Sequence, residues 1–403
     1  MGLNDTVSSE RLHIGFFGLR NAGKSSVVNA ITGQELAVVS DVRGTTTDPV
    51  RKAMELLPLG PVVILDTPGL DDEGQLGALR VQKARRVLAQ ADIAVLVVDA
   101  QKGLSPQDQA LLDQLRERNL PCIVAHNKAD LLDVRPDLPE NSLYVSAATG
   151  ENVEALKNLL GTLAKPEARE KKIVSDLLPA GATVVLVIPI DASAPKGRLI
   201  LPQQLTIRDL LDAGCTVVAA RDTELADTLG RLKNPPDLVI TDSQAFGRVA
   251  KLVPQGVPLT SFSILFARYK GELAELVRGA ARLSRLRDGD HILISEGCTH
   301  HRQCGDIGTV KLPRWIGEFS DAKITFDFTS GGDFPENLSP YALVVHCGGC
   351  MLNEKEMKHR IRICARNDVP MVNYGVAIAR VHGILERSLE IFPSMQALLH
   401  SDL

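Results

Sequence analysis

Two thiols and an imidazole fall within five residues at His346-Cys347-Gly348-Gly349-Cys350, where an apolar run ends. A Cys-x-x-Cys pair can bring two thiolates to one metal or to two irons of one cluster, and the glycines between them permit the tight turn. A second group, Cys298, His300, His301 and Cys304, also follows an apolar run. Cys298 would add a third thiolate to the Cys347/Cys350 pair. Thiolates are soft ligands that select zinc, copper(I) or iron–sulfur. On spacing alone, a closed four-ligand zinc site stands beside an iron–sulfur site. A redox dithiol at Cys347/Cys350 comes third, because no thioredoxin-like helix opening accompanies it.

Far upstream, Gly18-x4-Gly23-Lys24-Ser25 lies between a strand-like run and a helical pattern. Backbone N–H groups of such a loop, here including Asn21, Ala22 and Ser26, converge on phosphates at a helix N-terminus. Lys24 adds a point charge at the β/γ-phosphates and Ser25 an oxygen ligand for Mg2+. "DTPG" at Asp66–Gly69 ends another apolar run, which places Asp66 in the magnesium shell and the Gly69 N–H at the γ-phosphate. "NKAD" covers Asn127, Lys128 and Asp130. A carboxylate there accepts the N1–H and the exocyclic N–H of guanine, two donors that adenine does not present together. Ser146 and Ala147 of "SAATG" follow the next run and reach the base through their backbone. Four motifs in this order specify GTP/GDP with Mg2+.

The set resembles translation-factor-class GTPases and, through "DVRGTTTD" and Asn21, the TrmE–Era group. That resemblance implies K+-stimulated hydrolysis, with Asn21 a ligand of a cation that stands in for an arginine finger. Thr46 is the expected switch threonine on Mg2+, with Thr45 its rival in the threonine run. Leu70 follows "DTPG" where Ras-like enzymes carry a water-orienting glutamine, so slow, switch-like turnover is expected. The catalytic set is then Lys24, Asn21, Thr46, Asp66 and Gly69.

Cys298-x-His300, a gap of 45 residues and His346-Cys347-x-x-Cys350 resemble the FeFe-hydrogenase maturation GTPase (HydF) family. So do "CTHH" followed by "DIGTVKLPRWI", and the order of GTPase, α/β module and cysteine-bearing module. The resemblance spans essentially the whole chain. It implies a 4Fe–4S cluster on Cys298, Cys347 and Cys350, with one iron left to a weak or exchangeable ligand. His346 is the first candidate for that position and His300 the second, while Cys304 would close the cluster entirely. The family further implies a scaffold or carrier that assembles or delivers a diiron subcluster precursor as cargo to apo FeFe-hydrogenase. Two radical-SAM maturases and a second copy of the chain, as a homodimer, are its implied partners. An alternative from another class is a TrmE–Era-type GTPase of RNA or ribosome assembly with a structural zinc domain. A third is a redox-sensing GTPase.

The elements that must position these groups follow an α/β pattern. Residues 12–163 alternate apolar runs with helical spacings, which predicts a doubly wound parallel sheet over a P-loop GTPase domain, 1–168. The charged, proline-bearing "AKPEAREKK" reads as a linker. A middle α/β module, 175–265, which the family resemblance implies is a dimerisation domain, has strands in "TVVLVIPI", "CTVVAAR" and "PDLVITD" and carries no phosphate loop or acid/base cluster. "YKGELAELVRGAARLSRL" reads as one long helical stretch. The C-terminal domain, 266–403, which the resemblance implies is the iron–sulfur cluster domain, has strands in "HILISEGCTHH", "KITFDFTSG" and "YALVVHCGGC", with helices around Glu354–Arg366 and Ile384–Phe392. The basic stretch "NEKEMKHRIRICAR" reads as a solvated face or as a docking surface for an acidic partner.

A length of 403 residues suggests several domains, and 44% hydrophobic with 23% charged residues is a soluble globular balance. A net charge of -4 gives no reason to expect nucleic acid as a partner. No apolar run reaches membrane-spanning length, and "MGLNDTVSSE" lacks the basic and apolar regions of a secretion signal. Its loose myristoylation pattern at Gly2 and Thr6 reads as chance. Seven cysteines, an odd number, argue for reduced thiols and a cytoplasmic location. Cys122, Cys215 and Cys364 read as buried structural residues.

Overall fold

The computed structural model describes residues 11–33, 50–67, 87–164, 171–190, 199–297, 306–331, 333–349 and 352–401. It divides into two compact units, Met1–Arg169 and Glu170–Leu403.

The first unit holds β1 (Leu12–Phe17), β2 (Val50–Leu56), β3 (Gly60–Asp66), β4 (Ile93–Asp99), β5 (Cys122–Asn127) and β6 (Ser142–Tyr144). They form a sheet in the order β2-β3-β1-β4-β5-β6. β4, Ile-Ala-Val-Leu-Val-Val-Asp, is buried at every position, as a parallel strand covered on both faces must be. One apolar cluster gathers Ile14, Phe16, Val95 and Ile123, and a second gathers Phe17, Leu65, Leu96 and Leu115. The sheet is mixed, not wholly parallel: β2 runs antiparallel to β3. A tight turn joins them at Pro58–Gly60, where Gly60 takes φ 85°. β2 escaped the sequence reading because Arg51, Lys52 and Glu55 interrupt its apolar pattern, as an edge strand allows.

The second unit holds two four-stranded parallel sheets. The first comprises β7 (Thr183–Val187), β8 (Thr216–Ala220), β9 (Leu238–Thr241) and β10 (Leu259–Ser261), in the order β10-β9-β7-β8. The other comprises β11 (His291–Glu296), β12 (Thr325–Ser330), β13 (Leu343–His346) and β14 (Met371–Asn373), in the order β12-β11-β13-β14. One core joins Val184, Leu186 and Ile240 of the first sheet to Ile292, Leu293 and Val344 of the second through Phe262, Leu265 and Leu276. The single long helical stretch expected after Phe266 is two helices, Phe262–Lys270 and Leu273–Leu283, broken at Gly271. The helix expected around Ile384–Phe392 is a short Leu385–Ser388 turn followed by Pro393–Ser401. Proline at the first position starts a helix and cannot continue one.

Gly279 brings the Leu273–Leu283 helix directly onto β14. A Cβ there would lie 2.0 Å from the Met371 carbonyl oxygen and 2.5 Å from its carbon. Alanine gains ~1 kcal/mol of helix propensity over glycine, yet the obstacle is backbone that cannot rotate aside. Gly279→Ala is expected to lower stability by about 1–3 kcal/mol, read as a fall in the urea midpoint. A raised midpoint would mean that the helix shifts freely over the strand.

Strand order reverses at β1, which lies between β3 and β4, and again at β11, which lies between β12 and β13. In open α/β sheets, crevices for ligands form beyond the carboxyl ends of strands at such reversals. The phosphate loop follows β1, and both cysteine segments follow β11 and β13.

Candidate functional site

β1 and β3 end level, with Phe16 beside Asp66, so the phosphate loop and "DT" emerge side by side. The Thr67 hydroxyl donates to the Phe16 carbonyl at 2.7 Å and fixes that start. The loop needs its glycines for packing as well as for phosphate approach. At Gly18, φ 152°, a Cβ would fall 2.4 Å from the Val97 carbonyl oxygen. At Gly23, φ 82°, it would fall 2.2 Å from Asn127 Nδ2. Asn21 is exposed and left-handed at φ 65°, a conformation asparagine tolerates. The helix Lys24–Thr32 begins with no side-chain cap, which leaves its first N–H groups for an anion. Lys24 Nζ lies 2.7 Å from Asp66 Oδ1. Ser25 is half-buried and Ser26 exposed at the same helix start. Free helix N–H groups, an ammonium, a hydroxyl and a carboxylate are therefore together at the ends of β1 and β3.

Asn127 is 3% exposed and clamps two loops. Its Nδ2 donates to the Ala22 carbonyl at 3.0 Å, and its Oδ1 accepts the Ala147 N–H at 3.1 Å. The loop that follows is built to present a carboxylate. Asp130 is exposed on a short turn, Ala129–Leu131, with Arg135 donating to the Ala129 carbonyl at 3.0 Å and paired with Glu151. Ser146 is fully buried, and its Oγ accepts the Thr149 N–H at 3.2 Å. Sequence reasoning missed Asp99, at the end of β4, whose Oδ2 lies 2.6 Å from Lys128 Nζ. Burial works to raise the Asp99 carboxyl, but hydrogen bonds from Lys128 and the Gln101 N–H hold it below the usual range. The acidic end of "VLVVDA" was the available signal. Thr46, Gly69 and Leu70 lie outside the described residues.

At the second crevice, the Cys347 N–H donates to the Ser295 carbonyl at 2.9 Å, keeping β13 in register with β11. Cys347 Sγ accepts the Gly297 N–H at 3.0 Å and the Gly349 N–H at 3.4 Å. Two backbone N–H donors are thus aimed at this sulfur. Gly297, the residue that follows β11 and precedes Cys298 in the sequence, is thereby tied to the end of β13. Gly349 sits at φ 62°, and a Cβ there would meet Met357 Sδ at 2.6 Å. These features fit a cluster bound at Cys347. Cys298, His300, His301, Cys304 and Cys350 lie outside the described residues. Among the described residues, no three His, Cys, Asp or Glu side chains are grouped to hold a metal ion.

The other described cysteines are of a different kind. Burial pushes the Cys122 and Cys364 thiols up to about 12. Cys215 is also raised, by burial and then by Asp209 and Asp237. The Tyr374 hydroxyl lies 3.2 Å from Glu296 Oε1 and is pushed up by burial and by the charges of Glu296 and Cys347. His346 is fully buried, with Nδ1 2.7 Å from the Cys347 carbonyl and Nε2 2.9 Å from Arg360 Nη1. The basic stretch does not form one outward face. Arg360 is fully buried, Lys358 pairs with Glu354 at 2.8 Å, and Lys171 engages the same carboxylate.

Family models match the chain in three places. Residues 13–128 match a family described as 50S ribosome-binding GTPase. Residues 173–271 match the hydrogen maturase F dimerization domain, and residues 274–391 the hydrogen maturase F tetramerization domain. The tRNA modification GTPase MnmE of Nitrosomonas europaea is 36% identical over 156 residues, which cover 38% of this chain and 34% of that protein. Its counterpart in Hydrogenovibrio crunogenus is 35% identical over 161 residues, covering 38% and 35%. The chain thus spans about a third of the length of these relatives. Among solved structures, a probable GTP-binding protein engB is 24% identical at TM-score 0.30, covering 38% of this chain and 98% of that one. The G domain of the T. maritima FeoB iron transporter is 24% identical at TM-score 0.31, covering 39% and 100%. No helix among the described residues is long and apolar enough to cross a membrane. With two maturase-specific domains together spanning more than half of its 403 residues, after a GTPase domain matched over 13–128, the chain belongs to the hydrogen maturase F family.

Proposed function

We propose that this chain hydrolyses GTP as a switch while its C-terminal module holds a 4Fe–4S cluster and serves delivery of a diiron subcluster precursor to apo FeFe-hydrogenase. The observation that carries this reading is the Cys347 sulfur, held by N–H donors from Gly297 and Gly349 beside the start of the Cys298 segment. Cys298, Cys347 and Cys350 would hold the cluster, which when bound supplies an iron not saturated by protein thiolates, open to an exchangeable group. On the nucleotide side, the loop from Gly18 to Ser26 binds phosphates, and Ser25, Thr46 and Asp66 hold Mg2+. Asn127, Lys128, Asp130, Ser146 and Ala147 build the guanine pocket. Asn21 holds K+, so exchanging K+ for Na+ should slow turnover in the unaltered chain and make no difference in Asn21→Ala. An equal effect of the exchange on both would remove Asn21 from the cation site.

Nucleotide-dependent switch segments then bias which partner is engaged, hydrogenase or either of two radical-SAM maturases. The matched dimerization and tetramerization domains support association with further copies of the chain. The odd count of seven cysteines supports a cytoplasmic location, where thiols stay reduced. The identity to MnmE within the GTPase unit favours a second reading, an RNA-directed GTPase with a structural zinc domain. Metal analysis of anaerobically purified protein, paired with RNA binding across a salt series, separates the two. Iron with sulfide and no RNA binding supports the maturase reading. Tightly bound zinc with salt-sensitive RNA binding overturns it.

A further inference from the structure

We infer that Arg360 positions the Cys347 loop and holds His346 away from the cluster, so that the iron not bound by cysteine is left to a ligand from elsewhere. This rests on the cluster reading above and goes beyond it, because spacing alone makes His346 the first candidate for that iron.

The contacts around His346 account for both of its ring nitrogens. Arg360 Nη1 lies 2.9 Å from Nε2. A guanidinium carries only donors, so Nε2 is the acceptor and its lone pair is directed at Arg360. Nδ1 lies 2.7 Å from the Cys347 carbonyl oxygen, which only accepts, so Nδ1 carries the hydrogen. The ring then has no lone pair to offer a metal. His346 is 0% exposed and ends β13, flanked in register by Ser295 and Asn373, so it cannot swing outward.

Arg360 is fixed as firmly as the ring it holds. Its Nε donates to Glu356 Oε1 at 3.0 Å, one helical turn away, and its Nη2 to the Gly331 carbonyl at 2.7 Å. Its guanidinium carbon lies 5.2 Å from the Phe334 ring centroid. Freeing His346 for ligation would leave a buried guanidinium donor unpaired, a costly state. The chain of contacts therefore runs from Glu356 through Arg360 and His346 to the Cys347 carbonyl. The sulfur of that same residue sits under the Gly297 and Gly349 N–H groups. Lysine cannot reproduce it, because a point charge lacks the planar fork that reaches three acceptors.

Two measurements test this. In the metal-free chain with 15N-labelled histidine, long-range ring correlations should show one histidine as the Nδ1–H tautomer, assigned by its loss in His346→Gln. Its signal should change in Arg360→Lys. After reconstitution with iron and sulfide, pulsed EPR of the reduced cluster should show no directly coordinated nitrogen that is lost in His346→Gln. Cluster retention in Arg360→Lys should fall about 10- to 100-fold, as for other partners that orient a ligand segment. A strong nitrogen coupling that vanishes in His346→Gln overturns the inference. So does an Nε2–H tautomer in the metal-free chain, or an Arg360→Lys variant that matches the unaltered chain in both measurements. If no cluster forms at all, the cluster reading fails, while the tautomer still decides whether Arg360 holds His346.

Discussion

Lys24→Ala is expected to lower GTP turnover by about 10²–10³-fold, the usual loss when one fixed charge-stabilising donor is removed. The ammonium is the side-chain cation that the motif aims at the β/γ-phosphates, and neutral backbone donors do not replace it. Arginine should not rescue the loss, since a planar fork does not fit where a compact charge sits. Lys24 also lies 2.7 Å from Asp66, with side-chain exposures of 10% and 29%. Its removal therefore leaves the Asp66 carboxylate without that cation as well. Cluster content should be unchanged, because Lys24 and Cys347 belong to different compact units, Met1–Arg169 and Glu170–Leu403. Single-turnover assays and iron analysis on the same preparation decide the matter. Turnover within tenfold of the unaltered chain, or loss of iron together with turnover, would contradict the division of labour proposed here.

Asp130→Asn is expected to weaken GTP binding by about 10²–10⁴-fold, since two paired contacts are each worth ~1–3 kcal/mol. A carboxylate accepts both the N1–H and the exocyclic N–H of guanine. An amide keeps one acceptor and turns a donor toward the exocyclic amine. Xanthine carries a carbonyl at that position, so xanthosine triphosphate should gain where GTP loses. Stability should change little, because Asp130 is exposed and its turn is held by Arg135 and Glu151. Titration with both nucleotides gives the ratio directly. An unchanged preference for GTP would place base recognition elsewhere.

The sequence made the strands that carry chemistry readable because each is a short apolar run ending in a polar motif. β1 ends at the phosphate loop, β3 at Asp66, β5 at Asn127 and β13 at His346, as their spacing predicts. Less readable were the elements whose burial depends on distant neighbours. β2, β10 and β14 are edge strands, two of them only three residues long, and edge strands carry weak patterns. The break at Gly271 was hidden inside a continuous helical spacing.

Side-chain roles were harder still. Asn127 read as a nucleotide contact and serves as a clamp between the phosphate loop and the Ala147 segment. Lys128 has its partner 29 residues upstream, at Asp99. His346 read as the first candidate ligand from local spacing, which does not show that Arg360 packs against its ring. A signal for Arg360 did exist. It lies on the same helix face as the buried Met357, Ile361 and Cys364, where a charged residue must find partners.

The most direct test of the account is anaerobic reconstitution with iron and sulfide, followed by EPR of the reduced chain. It should be done for the unaltered protein and for Cys298→Ser, Cys347→Ser and Cys350→Ser. The account predicts about four irons per chain and a cubane signal that each substitution removes. Zinc bound tightly in place of iron, with no cluster signal under any condition, would contradict it.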